Sequence, residues 1–397
     1  MKIVNASFFY DPGLKTETEV LEQQYTITGW AEALARMPAE VVVVNRFYRN
    51  GSFTQNNVRY EFFKDRLGGR IRAWQTPFRY LLFIKSLDPD VIHLHHLTLS
   101  LQTFLLRLLV KRKTVIIVQH HGGKSPGKLK RVLHNLLIKV ANGFFFTTRE
   151  QGDQWFLKTG YTKIFPVMEG ATFFNYTERN NKSVPPGKKE ARQQTGLTGS
   201  PVFLWVGRLD GNKDPLTVLD GFEIVLRSLP LARLYMVFND DNLLKEVSGR
   251  IRNSGLLSAA VQLTGRVDHR RIEFYYRAAD YFLLGSHYEG SGYALSEALR
   301  CGCIPVVTGI PSFRMMTGNG QLGDLWETGN CHSLAAAILN TVRKPGETES
   351  AACRDYFEKN LSFDAIARTA IRHYGQLMNA SQGNRIKKMT ALPYAEQ

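Results

Sequence analysis

Arg208 and Lys213 follow the apolar run 202–206, and Glu289 and Glu297 follow a second apolar run, 281–285. A guanidinium bonds two phosphate oxygens at once and an ammonium acts as a mobile point charge, so these two cations together suit a diphosphate. Taken alone, a Gly-Arg pair such as Gly207-Arg208 reads first as solvated surface charge. The second segment adds weight, because Ser286-His287-Tyr288-Glu289-Gly290-Ser291-Gly292 is a loop whose glycines let backbone amides come close to a ligand. A helix is predicted from about Tyr293. The unpaired N–H groups of its first turn and its positive dipole end favour a phosphate in front of it. Glu297 lies inside that helix among Ala294, Leu295, Ala298 and Leu299. An ionised carboxylate is costly there unless donors bond to it, and sugar hydroxyls are suitable donors.

These groups can converge only if the two apolar runs are strands of one sheet. Residues 202–206 are expected to be a buried strand, Gly207-Arg208 the turn leaving it and residues 215–229 the helix that follows. Arg208 and Lys213 then sit at the carboxyl end of the strand, where open α/β sheets bind their ligands. Residues 261–264 form a further expected strand, followed by the turn Gly265-Arg266-Val267.

The first half alternates in the same way. Strands are predicted at 2–8, 40–45, 90–94, 114–118, 142–147 and 164–168, and helices at 22–37, 77–86 and 98–110. Such alternation implies a parallel sheet with crossover helices. Two histidine pairs fall at carboxyl ends of these strands: His95-His96 after 90–94 and His120-His121 before Gly122-Gly123. His93, which alternates inward, reads as structural. Zinc is the rival reading for the two pairs, and the carboxylate or cysteine partners at ligand spacing that a zinc set normally shows are missing. Residues 175–187, ending in Pro185-Pro186-Gly187, read as a linker. A last helix is expected at 363–378, and residues 380–397 are polar.

At 397 residues the chain exceeds what one core normally organises, and 44% hydrophobic residues are ample for two. Four cysteines make neither a disulfide framework nor a zinc site. Residues 1–4 run straight into the first strand without the pattern of a signal peptide, and no apolar run approaches the roughly 20 residues that span a bilayer. The expectation is a cytoplasmic protein. Charge is uneven: residues 1–182 hold 26 Lys and Arg against 14 Asp and Glu, a net +12 of the total +16. Much of the excess lies between Arg107 and Lys139. It reads either as a solubilising face or as attraction to an anionic membrane surface, with the protein peripheral at the inner face of the cell membrane, or to an acidic, lipid-linked acceptor. No nucleic-acid partner is expected, since no recognition motif or aromatic stacking platform accompanies the basic residues.

The second half resembles the retaining glycosyltransferases of family 4, group 1, which have the GT-B fold. Glu289 and Glu297 are spaced as that family's E-x7-E motif, Gly207-Arg208 with Lys213 resembles its diphosphate clamp, and Phe274-Tyr275-Tyr276-Arg277-Ala278-Ala279-Asp280 resembles its YRxAD helix end. The resemblance implies two Rossmann-like doubly wound α/β domains facing an inter-domain cleft: residues 1–180 on the acceptor side, residues 188–362 binding the nucleotide sugar, and a helix at 363–380 crossing back to the first domain. It implies that Arg208 and Lys213 hold the diphosphate with the amides around Gly290, Ser291, Gly292 and Tyr293. Glu297 would accept hydrogen bonds from the ribose, Glu289 would contact the transferred sugar, and Arg266 and Val267 would lie against the base. His121, just before a glycine, would stand beside the sugar.

Two departures bear on the acceptor and the sugar. The loop 9–16 offers only Gly13 where the family often has a Gly-Gly pair, so either the loop is more open or Lys15 and Thr16 contribute contacts in place of bare amides. Ser291 stands where a large apolar residue is common. The implied reaction moves a sugar, with retention, from a UDP- or GDP-sugar to a hydroxyl of a saccharide or lipid-linked acceptor. It proceeds at the leaving-group face with no metal, no resident cofactor and no protein nucleophile. Double displacement through Glu289 is the mechanistic alternative. A non-catalytic nucleotide-sugar or membrane-surface binding module and a sugar-nucleotide epimerase are the alternative functions.

Overall fold

The computed structural model describes residues 1–95, 97–123, 127–156, 162–170, 185–268 and 270–390, the side chains of 128–129 and 382–390 excepted. The linker read at 175–187 lies outside the described residues except for its last three, as does His96. The chain divides into two compact units, Met1–Gly170 with Phe363–Gln397, and Ala171–Ser362. Each has its own sheet.

In the first unit the strands are β1 (Lys2–Ser7), β2 (Glu40–Phe47), β3 (Gly51–Gln55), β4 (Val58–Lys64), β5 (Val91–Leu94), β6 (Val115–Gln119), β7 (Gly143–Phe146) and β8 (Ile164–Pro166). Among the described residues they form one sheet in the order β3-β4-β2-β1-β5-β6-β7-β8, parallel except for the β3–β4 pair. The near-continuous apolar runs Val41–Val44 and Val115–Val118 are buried, as expected of parallel strands covered by helices on both faces. The β3–β4 hairpin was not anticipated from the sequence. Asn56 and Asn57 both have positive φ (51° and 62°), which makes the two-residue turn that suits a hairpin, and β3 forms the largely exposed edge.

The helix expected at 22–37 starts earlier and is split in two, Glu17–Gln23 and Tyr25–Ala35. Thr16 and Glu19 form a reciprocal capping box that fixes the early start. The last helix runs Phe363–Thr390, beyond the expected 378, and is part of the first unit. Its Tyr374 hydroxyl lies 2.6 Å from His93 Nδ1, and His93 Nε2 lies 2.8 Å from Gln119 Oε1. Complete burial, with the neighbouring His121 second, pushes the His93 pKa down to about 3, so the ring is neutral. Since the unfolded imidazole titrates near 6.5, the unfolded chain binds more protons between about pH 3 and 6.5. Stability is therefore expected to decline as pH falls through that window. His93→Leu, which strands Gln119 and Tyr374, is expected to cost about 2–4 kcal/mol in urea unfolding and to flatten this acid limb.

In the second unit the strands are β9 (Val202–Val206), β10 (Arg233–Val237), β11 (Val261–Gly265), β12 (Tyr281–Leu284), β13 (Ile304–Thr308) and β14 (Asp324–Trp326), all parallel in the order β11-β10-β9-β12-β13-β14. From β9 the chain moves to β10 on one side and later returns to β12 on the other. The gap between the ends of β9 and β12 is thus a topological switch point, the usual place for a ligand in such sheets. Asp280, which closes the Phe274–Asp280 motif, locks β12 beside β9: its carboxylate accepts from the Val202 amide at 2.8 Å and from Arg192 Nη2 at 2.9 Å. That motif is architectural. Among the described residues no helix is long and apolar enough to cross a membrane.

Candidate active site

Two loops meet at the β9/β12 switch point, and backbone contacts fix them together. His287 donates its amide to the Asn212 carbonyl at 2.8 Å. The Asn212 side chain donates to the Tyr288 carbonyl at 3.0 Å and accepts from the Tyr288 amide at 3.1 Å. Gly285 allows this approach, because a Cβ there would stand 3.2 Å from the carbonyl oxygens of both Lys213 and Asp214. Asp214 itself adopts φ 46° and caps the helix Pro215–Leu226, while its carboxylate lies 3.1 Å from His287 Nε2. Thr308 at the end of β13 donates to the Ser286 carbonyl at 2.6 Å. Asn212, Asp214, Ser286 and Thr308 build the site without having stood out in the sequence. Asn212 and Asp214 lie within the Arg208–Lys213 stretch or beside it, and only their cross-loop bonds reveal their part.

On this joint Lys213 and Glu289 are in direct contact, their side chains 14% and 13% exposed. Ser286 Oγ donates to the same Glu289 oxygen at 2.6 Å. Arg208 is different: its guanidinium is 62% exposed and lies 3.1 Å from Asp210. The joint therefore holds one sheltered cation balanced by a sheltered carboxylate, with a second, exposed cation outside. Gly292 is the N-cap of the helix Tyr293–Cys301 and, as a glycine, makes no side-chain cap bond of its own. Its φ of 62° and the 2.7 Å that would separate a Cβ from Phe313 Cε1 exclude a side chain at that position. Gly290 is half-buried, and Ser291 is buried.

Glu297, one turn inside that helix, is buried and hydrogen-bonded to the Tyr276 phenol. Burial raises its pKa to about 7, opposed by the Tyr276 bond and by Arg300. Arg266 is exposed and Val267 half-buried just past β11, where Gly265 turns the chain at φ 72°. The structure thus brings Lys213 and Glu289 together, places Arg208 on the same loop as Lys213, and sets Arg266 and Val267 at the end of a different strand.

In the first unit the switch point falls between β1 and β5. His95, following β5, and His121, following β6, are joined there: His95 Nδ1 lies 3.0 Å from His121 Nε2. The other nitrogen of His121 contacts Glu169 Oε1 at 2.5 Å. Glu169 follows β8 and is buried, and its part was not read from the sequence because only the folded sheet brings it to His121. His120 is buried against Phe146 and Trp155, its pKa pushed down to about 4 chiefly by that burial. Of the two histidines in the pair, His121 is the one on the carboxyl-edge network. Gly13 is exposed and its amide is taken by Asp11 Oδ1 at 2.8 Å. Thr16 is used as a helix cap, and Lys15 Nζ bonds the Pro12 carbonyl at 2.6 Å. Among the described residues there is no group of three or more His, Cys, Asp or Glu side chains that could hold a metal ion.

Comparison with known proteins agrees with this fold. Residues 187–359 match the family model of the group 1 glycosyl transferases, and residues 23–155 match that of Glycosyltransferase Family 4. The chain is 35% identical over 192 residues to mannosylfructose-phosphate synthase of Agrobacterium fabrum, a match that spans 45% of this chain and 40% of that enzyme. It is 23% identical to a GDP-mannose:cellobiosyl-diphosphopolyprenol alpha-mannosyltransferase of Xanthomonas oryzae over 81% of this chain and 82% of that one. Among solved structures it is similar to sucrose-phosphate synthase from Thermosynechococcus elongatus (TM-score 0.64, 19% identity, 96% and 99% of the two chains). It is also similar to HepE of Anabaena, solved with UDP and glucose (TM-score 0.65, 16% identity, 95% and 100%). The fold is GT-B, and the chain belongs to the group 1, family 4-like glycosyltransferases.

Proposed function

We propose that this glycosyltransferase moves a sugar, with retention of anomeric configuration, from a UDP- or GDP-sugar to a hydroxyl of a saccharide or lipid-linked acceptor. The observation that carries the reading is the sheltered Lys213–Glu289 pair at the β9/β12 switch point, beside a helix that starts at Gly292. A diphosphate arriving there competes with Glu289 for Lys213. Arg208 swings from Asp210 onto the outer phosphate, and the amides of residues 290–293 take the remaining oxygens. These donors stabilise the charge that grows as the sugar–phosphate bond lengthens. Glu289, released from Lys213, accepts from a hydroxyl of the sugar. The acceptor hydroxyl attacks from the leaving-group face and gives its proton to a departing phosphate oxygen. The relatives' names support a nucleotide-sugar donor, and HepE's ligand and the mannosyltransferase's name point to uracil and guanine respectively.

In this reading the ribose hydroxyls donate to Glu297. Such bonds favour the ionised carboxylate and lower its pKa from about 7, so nucleotide binding at about pH 6.5 releases protons. Titration calorimetry with UDP and GDP in buffers of different ionisation enthalpy measures that release. Glu297→Gln is expected to abolish it. Equal release by both proteins would remove Glu297 from the ribose. Retention is tested separately by the anomeric coupling of the product in proton NMR, where an inverted product would end the front-face mechanism.

A further inference from the structure

The outer face of one helix layer in the first unit is both basic and apolar. The helices Phe78–Ser86, Ser100–Leu109 and Lys128–Ile138 connect β4 to β5, β5 to β6 and β6 to β7. Every one of these crossovers steps in the same direction along the sheet, so right-handed connections place all three helices on one face. They pack side by side and send Tyr80, Leu81, Ile84, Leu106 and Ile138 into a single core.

Their opposite sides should be polar throughout on a water-facing surface, and large apolar side chains stand among the basic ones. Phe78 and Leu82 project outward one turn apart, with Trp74 just before them. Leu108 does so from the second helix, and Val132, Leu133 and Leu136 from the third. These seven side chains are 48–68% exposed, and they are most of the large apolar residues so exposed among the described residues. Lys85, Lys130 and Lys139 are exposed on the same elements, and Arg72 stacks on the Trp74 ring.

Residues 66–139 contain 14 Lys and Arg against two Asp, a net +12. Of those two, Asp88 is paired with Lys111 and Asp90 accepts from the Lys2 amide.

We infer that this face docks on an anionic lipid surface. Exposed leucines and aromatics enter the acyl boundary while lysines and arginines snorkel to the headgroups, which is how interfacial helices bind. Charge decides among occupants. A second copy of the same face would bring two strongly positive surfaces together, whereas anionic headgroups neutralise them. The inference rests on the first unit alone and does not depend on the acceptor or on the mechanism proposed above.

The test is flotation of the full chain with phosphatidylcholine vesicles and with vesicles that also contain phosphatidylglycerol, at low and high salt. Binding is expected only with phosphatidylglycerol and is expected to weaken with salt. Val132→Ser/Leu133→Ser/Leu136→Ser, and separately Lys130→Glu/Lys139→Glu, should each lower partitioning more than about tenfold. Both sets of changes are on the exposed face, so Tm and donor hydrolysis should stay as in the parent. No binding to either vesicle, equal binding to both, or partitioning unchanged in both variants would overturn the inference. So would loss of the exposed face to a dimer in sedimentation.

Discussion

Replacing Lys213 by alanine is expected to lower kcat/KM for sugar transfer about a thousandfold, the scale on which one preorganised donor to a transition-state charge acts. It should also erase the thermal shift given by UDP or GDP, which at a hundred times Kd amounts to about 2.7 kcal/mol in the parent. Lys213 carries this weight because it is the sheltered cation: its ammonium is held at the joint of the two loops, where water screens it little. Arg208 is largely exposed and bonded to Asp210, so Arg208→Ala should cost less, about tenfold. A fold defect is separable from a functional one. Lys213→Ala leaves Glu289 without its counter-charge, whereas Lys213→Ala/Glu289→Ala removes both charges and should regain stability without regaining turnover. Recovery of activity in the double variant would contradict the assignment of Lys213 to the diphosphate.

Glu289→Gln should separate binding from chemistry. The amide still accepts from Ser286 but no longer neutralises Lys213, so the cation is fully available to phosphate. UDP or GDP is expected to bind as well as to the parent or better, while kcat for transfer falls about a hundredfold because the contact to the sugar is weakened. Steady-state kinetics and calorimetry on one preparation give both quantities. Weakened nucleotide binding with kcat unchanged would place Glu289 in the phosphate site and deny it the sugar.

The candidate site of the second unit was legible in the sequence because its parts are local. Arg208, Lys213 and Glu289 lie in the loops that follow strand ends, Glu297 in the helix after the second loop, and strand ends follow from apolar runs. What joins them was not legible. The two hydrogen bonds between Asn212 and Tyr288, the left-handed Asp214 and the close approach at Gly285 depend on β9 lying beside β12, an adjacency that sequence spacing does not encode. The first unit shows the same division. The strands carrying His95 and His121 could be read from alternation, but the link from His121 to Glu169 requires β6, β7 and β8 to be laid side by side. The β3–β4 hairpin escaped because its strands are half polar and its turn is Asn-Asn where glycine is the stronger signal. Thr16, read as a possible ligand contact, is taken up by the capping box of Glu17–Gln23.

A crystal structure of the protein with UDP or GDP tests the central claim most directly. Lys213 Nζ should have left Glu289 for a phosphate oxygen, with the diphosphate before the amides of residues 290–293 and the ribose hydroxyls on Glu297. A nucleotide bound elsewhere, with the Lys213–Glu289 pair intact, would contradict it.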